Sequence, residues 1–231
     1  MRFIDVHTHL LPEIDDGAKD MNQTMQMIEM LKNQGISEVF LTPHFYHFKT
    51  TIEAFCLKRQ ESLNLVKNIF DENKIKFHLG AEVYLIDTLF VYDDISALCI
   101  GDSNLVLVEL PFETTSVKKI YSMINKLCAN YSVRPIIAHI ERYPAYFNEN
   151  VLSELNKMDC LIQFDIQSLE RFFLRKKIQK FVRNGLIHLA GSDCHDSVVR
   201  KPDYVLLNKF FLNLNNECLL NKYIDVKKST L

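Results

Sequence analysis

The chain alternates short apolar runs with longer amphipathic stretches. Seven runs, at 3–6, 38–42, 77–85, 105–110, 135–139, 160–166 and 186–191, are short, rich in β-branched or aromatic residues and bounded by polar residues or glycine, which predicts buried strands. Between them five stretches, 21–35, 51–73, 115–131, 148–158 and 168–185, carry apolar residues at helical spacing. Thr50 or Thr51 is positioned to cap the second, and Gly35 and Gly185 stand where the first and last must stop. Strands alternating with helices imply parallel pairing through right-handed crossovers, so an open doubly wound sheet and a closed barrel both satisfy the pattern. No linker, composition break or repeat divides the 231 residues, which predicts a single domain over 1–231. The last stretch, 204–231, reads as one or two amphipathic helices that cover the strands or form part of an interface.

The polar residues that interrupt this pattern favour the barrel. His7 and His9 end the first run, His44 follows the second, and Glu82 and Glu109 lie late in the third and fourth. His139 ends the fifth, and Asp193 and His195 follow the seventh. All sit at the carboxyl ends of their strands, the rim where a β/α barrel assembles a site from separate loops. An open sheet would spread them along an edge, whereas a barrel gathers them into one bowl. The expected fold is therefore an α/β, TIM-like barrel.

Composition narrows the setting. With 48% hydrophobic and 24% charged residues the chain is an ordinary globular protein whose core needs no disulfides. A net charge of -2 and the lack of a basic stripe argue against a nucleic-acid partner. The six cysteines (56, 99, 128, 160, 194 and 218) are scattered singly, as suits reduced thiols. The opening MRFIDVHTH enters a strand at once and leaves no room for a leader, and the uncharged apolar runs are too short to span a bilayer. A cytoplasmic protein without membrane insertion is expected.

DVHTHLLPEIDDG, residues 5–17, packs two His, three Asp and one Glu into one segment. Imidazoles and carboxylates suit divalent Zn, Mn, Fe and similar ions, and the number of donors along the chain exceeds what one tetrahedral ion can use. A lone His-x-His is a weak signal. It strengthens with DDG, where Gly17 permits a turn that aims Asp16 inward, and with SDCH, which repeats the alternation using Asp193 and His195. His44 could instead cap a turn after Pro43. Glu82 and Glu109 sit in apolar strands, where an unpaired carboxylate is costly, so they need a cation or a structural salt bridge. His47, His78 and His188 lie away from the rim and read as structural or surface residues. Asp15 reads as solvating or bracing its loop, and Asp5 as a support rather than a ligand.

Two arginines add a substrate class. Arg142 follows His139 by three residues and Arg200 follows His195 by five. A guanidinium keeps its charge and offers paired donors, so near a metal cluster it suits a phosphate ester. The competing reading is a rim salt bridge, Arg142 with Glu141 and Arg200 with Asp196.

With these residues in hand, the chain resembles the polymerase and histidinol phosphatase (PHP) family. More closely it is similar to that family's bacterial tyrosine-protein phosphatases of capsular and exopolysaccharide synthesis. The likeness rests on DVHTHLLPEIDDG, TPHF, GAEVY, LVELPF, AHIERY and GSDCHD, in that order along nearly the whole chain. It implies a distorted seven-stranded barrel holding two to three divalent ions, manganese foremost, with iron, cobalt or zinc as substitutes. His7, His9, Glu82 and Asp193 would hold one ion, Glu82, Glu109 and His139 a second, and Asp16, His44 and His195 a third. Arg142 and Arg200 would contact phosphate on a phosphotyrosine protein, in this setting a bacterial tyrosine kinase. The sixth strand departs from the family's Q-x-N-x-G-S pattern: QFDIQS puts Asp165 and Gln167 in the Asn and Gly places.

The expected chemistry is direct hydrolysis by metal-activated water. A phenolate, with a pKa of about 10, leaves far more readily than an alkoxide, so strong acid assistance is dispensable, although His44 could supply it. CHDSVVR (194–200) also has the Cys-x5-Arg spacing of thiol phosphatases. Its five intervening residues hold no glycine to curl a phosphate loop, so Cys194 reads as a small residue between two ligands. Hydrolysis of a small phosphomonoester such as histidinol phosphate is the alternative on the same barrel. A metal-stabilised scaffold fits poorly, since structural sites are usually closed with few ligands. Monomer and homo-oligomer both fit the sequence.

Overall fold

The computed structural model describes residues 3–112 and 115–212. Its strands are β1 (Phe3–Thr8), β2 (Ile36–Leu41), β3 (His44–Phe45), β4 (Lys76–Leu79), β5 (Glu82–Tyr84), β6 (Leu105–Glu109), β7 (Arg134–Ile137), β8 (Leu161–Asp165) and β9 (Leu189–Gly191). The helices are α1 (Met21–Asn33), α2 (Ile52–Asn73), α3 (Val117–Tyr131), α4 (Glu149–Lys157), α5 (Phe172–Arg183) and α6 (Tyr204–Leu212). Every strand pairing is parallel. Residues 213–231, with Cys218, lie outside the described chain.

One of the seven apolar runs breaks and a two-residue strand follows the second, which makes nine strands among the described residues. The second run ends with β2, and the chain resumes as the short strand β3 only after Thr42-Pro43, where proline has no N–H to continue a ladder. The third divides between β4 and β5 at Gly80-Ala81, where a Cβ on Gly80 would meet Ile100 at 3.0 Å. The pairing orders that result are β1-β2-β4 and β3-β5-β6-β7-β8-β9. A parallel bridge between Thr8 and Cys194 sets the end of β1 beside the segment after β9. There His9 N donates to Cys194 O and Asp193 N donates to His7 O, at 3.0 and 2.9 Å.

Helix ends follow local side-chain chemistry. Asp20, Thr51, Ser116 and Asn148 cap α1, α2, α3 and α4, each accepting a backbone N–H three residues on. Gly35 and Gly185, at φ 84° and 68°, turn the chain out of α1 and α5 as expected. The 168–185 stretch is helical only from Phe172, because 166–170 forms a 3-10 turn beside β8.

Alternation along the strands sorts side chains into two buried clusters. The larger lies against the helices; on β6, for example, it takes Val106 and Val108. The smaller, which includes Val6, Phe40, Leu105, Leu107, Ile136, Leu161 and Leu189, lies on the opposite face. On that face apolar residues give way to polar ones toward the carboxyl ends: Leu105 and Leu107 are followed by Glu109, and Leu161 by Gln163 and Asp165. This change from apolar to polar builds the floor of the site.

Candidate metal centre

The structure brings all nine candidate ligands to one bowl at the strands' carboxyl ends. Three overlapping groups have donor atoms close enough to share an ion: His7, His9, Glu82 and Asp193; His9, Asp16, His44 and His195; and His44, Glu82 and Glu109. His139 closes on the last from another side, with Nε2 2.8 Å from Glu82 Oε1 and 3.8 Å from Glu109 Oε1. Compared with the sets implied by resemblance, the first is reproduced. In the second His44, whose Nδ1 is 3.0 Å from Glu82 Oε2, takes the place of His139, which stays beside the group, and the third gains His9. His7, His9 and Glu82 are fully buried, whereas the Asp16 side chain is 65% exposed, so the bowl opens at Asp16.

The donors meet in a way that suits cations better than one another. His7 Nε2 lies 3.1 Å from His9 Nε2 and 3.1 Å from Glu82 Oε2, while Asp193 Oδ1 is 3.3 Å from both imidazole nitrogens. Yet Glu82 Oε2, Asp193 Oδ1 and His195 Nε2 are buried without a hydrogen bond of acceptable geometry. Glu82 Oε2 and Asp193 Oδ1 belong to one donor group and His195 Nε2 to another, and lone pairs gathered without a hydrogen bond in such groups are the arrangement a cation satisfies. The residues therefore fit a polynuclear site with nitrogen and oxygen ligands.

Electrostatics agree. Burial would push the Glu82 carboxyl up, but His7 and His44 hold it well below the usual carboxylate range. Asp193 is likewise held low against burial by His7, His9 and Arg142. The Glu109 carboxyl is raised, by burial and then by the Glu82 charge. Such a concentration of negative charge needs positive charge beside it.

Supporting bonds orient the ligands. Asp15 Oδ2 is 2.7 Å from His9 Nδ1 and accepts the His44 N–H at 2.9 Å, while its Oδ1 accepts the Gly17 N–H at 2.9 Å. Asp15 is thus the expected brace. Asp5 Oδ1 accepts the N–H groups of Ser192 and His7, tying the two ligand-bearing segments together. Gln163, which sequence reasoning did not single out, accepts the His139 N–H at 2.6 Å and donates to Asp165 Oδ1 at 3.2 Å. His139 and Asp193 adopt left-handed backbone, at φ 30° and 50°, which is costly for residues with a side chain and occurs here at two candidate ligands. Gly17 lies in the bend that follows Asp16, and a Cβ there would meet His9 O at 2.4 Å, so close approach to the ligand strand requires glycine at this turn.

Both arginines reach the bowl rather than the acids expected as rivals. Arg142 pairs with Asp193 Oδ2 and, at 2.6 Å, with Asp165 Oδ2. Arg200 lies 2.6 Å from the same Asp193 oxygen. Glu141 instead accepts the Asp165 N–H and the Ser168 hydroxyl, and Asp196 caps its own turn through the N–H groups of Val198 and Val199. Asp165, the departure from the family pattern, is therefore a partner of Arg142. Gln167 faces away and donates to Val199 O. His47, His78 and His188 stay outside the bowl; His78 pairs with Glu38, and His188 Nδ1 accepts the Ile162 N–H.

Cys194 is fully buried, and burial pushes its thiol up to about 12. It packs in the core with no access to phosphate, as its place between two candidate ligands requires.

Parallel strands that collect imidazole and carboxylate donors with two arginines at their carboxyl ends define a class of α/β protein with overlapping candidate metal sites. The chain belongs to the capsular polysaccharide synthesis CpsB/CapC family, which it matches over residues 3–210. It is 28% identical over 211 residues to the tyrosine-protein phosphatase CpsB of Streptococcus pneumoniae, covering 86% of this chain and 85% of that protein. To the putative tyrosine-protein phosphatase CapC of Staphylococcus aureus it is 27% identical, covering 99% of this chain and 88% of that one. Its fold matches crystal structures of YwqE from Bacillus subtilis and CpsB from S. pneumoniae, described as unique metal-dependent tyrosine phosphatases. The TM-score is 0.69 at 22% identity, over 95% of this chain and 89% of that one. No helix among the described residues is long and apolar enough to cross a membrane.

Proposed function

We propose that this chain is a metal-dependent protein-tyrosine phosphatase of capsule or exopolysaccharide synthesis. One observation carries the reading: donors from separate strand ends converge on overlapping ion-sized sites, with Arg142 and Arg200 aimed at the same Asp193 oxygen. The CpsB and CapC relatives are named for activity on tyrosine, and their likeness extends along most of the chain.

His7, His9, Asp16, His44, Glu82, Glu109, His139, Asp193 and His195 would hold two to three divalent ions, manganese foremost, with iron, cobalt or zinc able to replace it. Bound there, the ions supply Lewis-acid neutralisation of phosphate oxygens and activation of water near neutral pH. Arg142 and Arg200 grip the equatorial phosphate oxygens, and an arriving phosphate replaces Asp193 and Asp165 as the partner of their outward N–H groups. Asp15 holds His9 with Nε2 facing the bowl. In a two-ion form that leaves the group of Asp16, His44 and His195 empty, His44, whose side chain is 11% exposed and the least buried imidazole of the set, would pass a proton from Nε2 to the leaving oxygen.

The finer features belong to the same proposal. The strands form a distorted seven-stave barrel in one domain, with β2–β3 and β4–β5 each counted as one interrupted stave; the Thr8–Cys194 bridge supports it. The protein works in the cytoplasm on a phosphorylated tyrosine kinase, a setting in which free Cys56, Cys99, Cys128, Cys160 and Cys194 persist as thiols.

A panel of phosphotyrosine peptide, phosphoserine peptide and histidinol phosphate, run on metal-reconstituted protein and a His7→Ala control, tests the reading. Preference for phosphotyrosine, lost with bound metal in the control, is expected. Preference for histidinol phosphate would replace the substrate while leaving the site in place.

A further inference from the structure

Beside the bowl lies a cavity of about 740 Å3 that shares Asp16 and His44 with it. Ile14, Tyr46 and Phe55 give it apolar walls, and Lys49 and Lys58 place two ammonium groups on it. Lys49 Nζ sits 4.2 Å above the Tyr46 ring, and Lys58 Nζ donates to the Ile14 carbonyl at 3.2 Å. Among the described residues neither pairs with a carboxylate, although salt bridges occupy Lys119, Lys157 and Lys180 elsewhere. The acids that also line the cavity are engaged on its metal-centre side: Asp15 with His9, and Asp16 with His44 and His195. Two cations without a carboxylate partner over apolar walls, at the mouth of a site proposed to hold phosphotyrosine, form an electrostatic filter for what flanks that residue.

We propose that this cavity is a peptide subsite that selects acidic side chains next to the phosphotyrosine being hydrolysed. The inference rests on the phosphatase reading and deepens it. Ile14, Tyr46 and Phe55 cover the hydrocarbon of the flanking residue, and Lys49 and Lys58 take its carboxylate. The phosphate itself stays with the metal centre and the arginines, so the subsite acts on KM and leaves kcat alone.

The test compares a phosphotyrosine peptide flanked by Glu, its isosteric Gln version and p-nitrophenyl phosphate, on the metal-loaded full chain and its Lys49→Ala/Lys58→Ala variant. The wild-type protein is expected to show a KM about fivefold to tenfold lower for the Glu peptide than for the Gln peptide, as two solvent-accessible ion pairs would give. The double variant should lose that gap, while its kcat and its turnover of p-nitrophenyl phosphate stay unchanged. A Lys49→Arg/Lys58→Arg variant should keep the gap. Anisotropy of labelled, non-hydrolysable phosphonate versions of the two peptides should show the same preference in binding, narrowing as salt rises. Equal KM values in the wild-type protein, or a gap that survives in the double alanine variant, overturn the inference and leave the phosphatase reading intact. Absence of any turnover of p-nitrophenyl phosphate by metal-loaded protein overturns that reading and the subsite with it.

Discussion

Asp15 Oδ2 lies 2.7 Å from His9 Nδ1 and leaves the other ring nitrogen, Nε2, facing Glu82 and Asp193 at 3.3 Å. A carboxylate on one imidazole nitrogen fixes the tautomer and makes the opposite nitrogen the better ligand. Replacing Asp15 with Ala is expected to lower metal affinity about 10–100-fold and turnover with it. A metal titration of the apo protein followed by chromophore competition measures the loss. Unchanged affinity would mean that Asp15 only shapes its loop.

The two arginines meet at Asp193 but hold no candidate metal group of their own. Arg142→Ala or Arg200→Ala should therefore reduce kcat/KM about 10²–10³-fold, the usual cost of one lost charge-stabilising donor, with metal content preserved. Elemental analysis beside steady-state kinetics separates this from a collapse of the centre.

The cluster of candidate ligands was largely legible in the sequence because buried His, Asp and Glu at strand ends are conspicuous against apolar runs. The sequence also supplied the parallel α/β pattern, Thr51 as one of two possible caps, and Asp15 as a brace. It did not supply what depends on distance across the fold. Gln163 looks like an unremarkable polar residue in a strand until its amide is seen under the His139 N–H. Asp165 becomes a partner of Arg142 only when β8 packs beside the turn after β7. The break at Gly80 divides a run that reads as continuous, and β3 after Pro43 was not read as a strand, because hydrophobicity alone records neither a close contact nor a two-residue pairing. The 3-10 turns at Asp87–Val91 and Ser96–Leu98 fill a stretch with no clear periodicity.

Cys194 has the spacing of a thiol nucleophile but neither its access nor its acidity, since burial pushes it up to about 12. Cys194→Ser should keep turnover within about twofold, as befits a small buried swap away from the reacting atoms. A chelator should abolish activity in both proteins. Loss of turnover in the Ser variant with metals retained would restore the thiol mechanism.

Glu141 is buried, and burial together with the neighbouring Asp165 charge raises its carboxyl to about 8, against an ordinary value of 4.5. The fold thus keeps a proton that the unfolded chain releases. The associated stability is fully present below pH 4.5 and is lost as pH rises through about 8. Glu141→Gln keeps the acceptor for the Asp165 N–H and cannot ionise. Its melting temperature should match the wild type at pH 5 and exceed it at pH 8.5, by about 2–4 °C for each kcal/mol involved. Parallel pH curves for the two proteins would show that Glu141 does not titrate in this window.

The central claim, that these donors converge on several cations, is tested most directly at Glu82, which joins two of the three donor groups. The measurement is metal stoichiometry by elemental analysis on reconstituted, desalted wild-type protein and its Glu82→Gln variant, with circular dichroism to establish that both are folded. The account predicts two to three equivalents in the wild type and the loss of at least one in the folded variant. A wild-type protein that retains no stoichiometric metal, or a folded variant that retains the full complement, would contradict it.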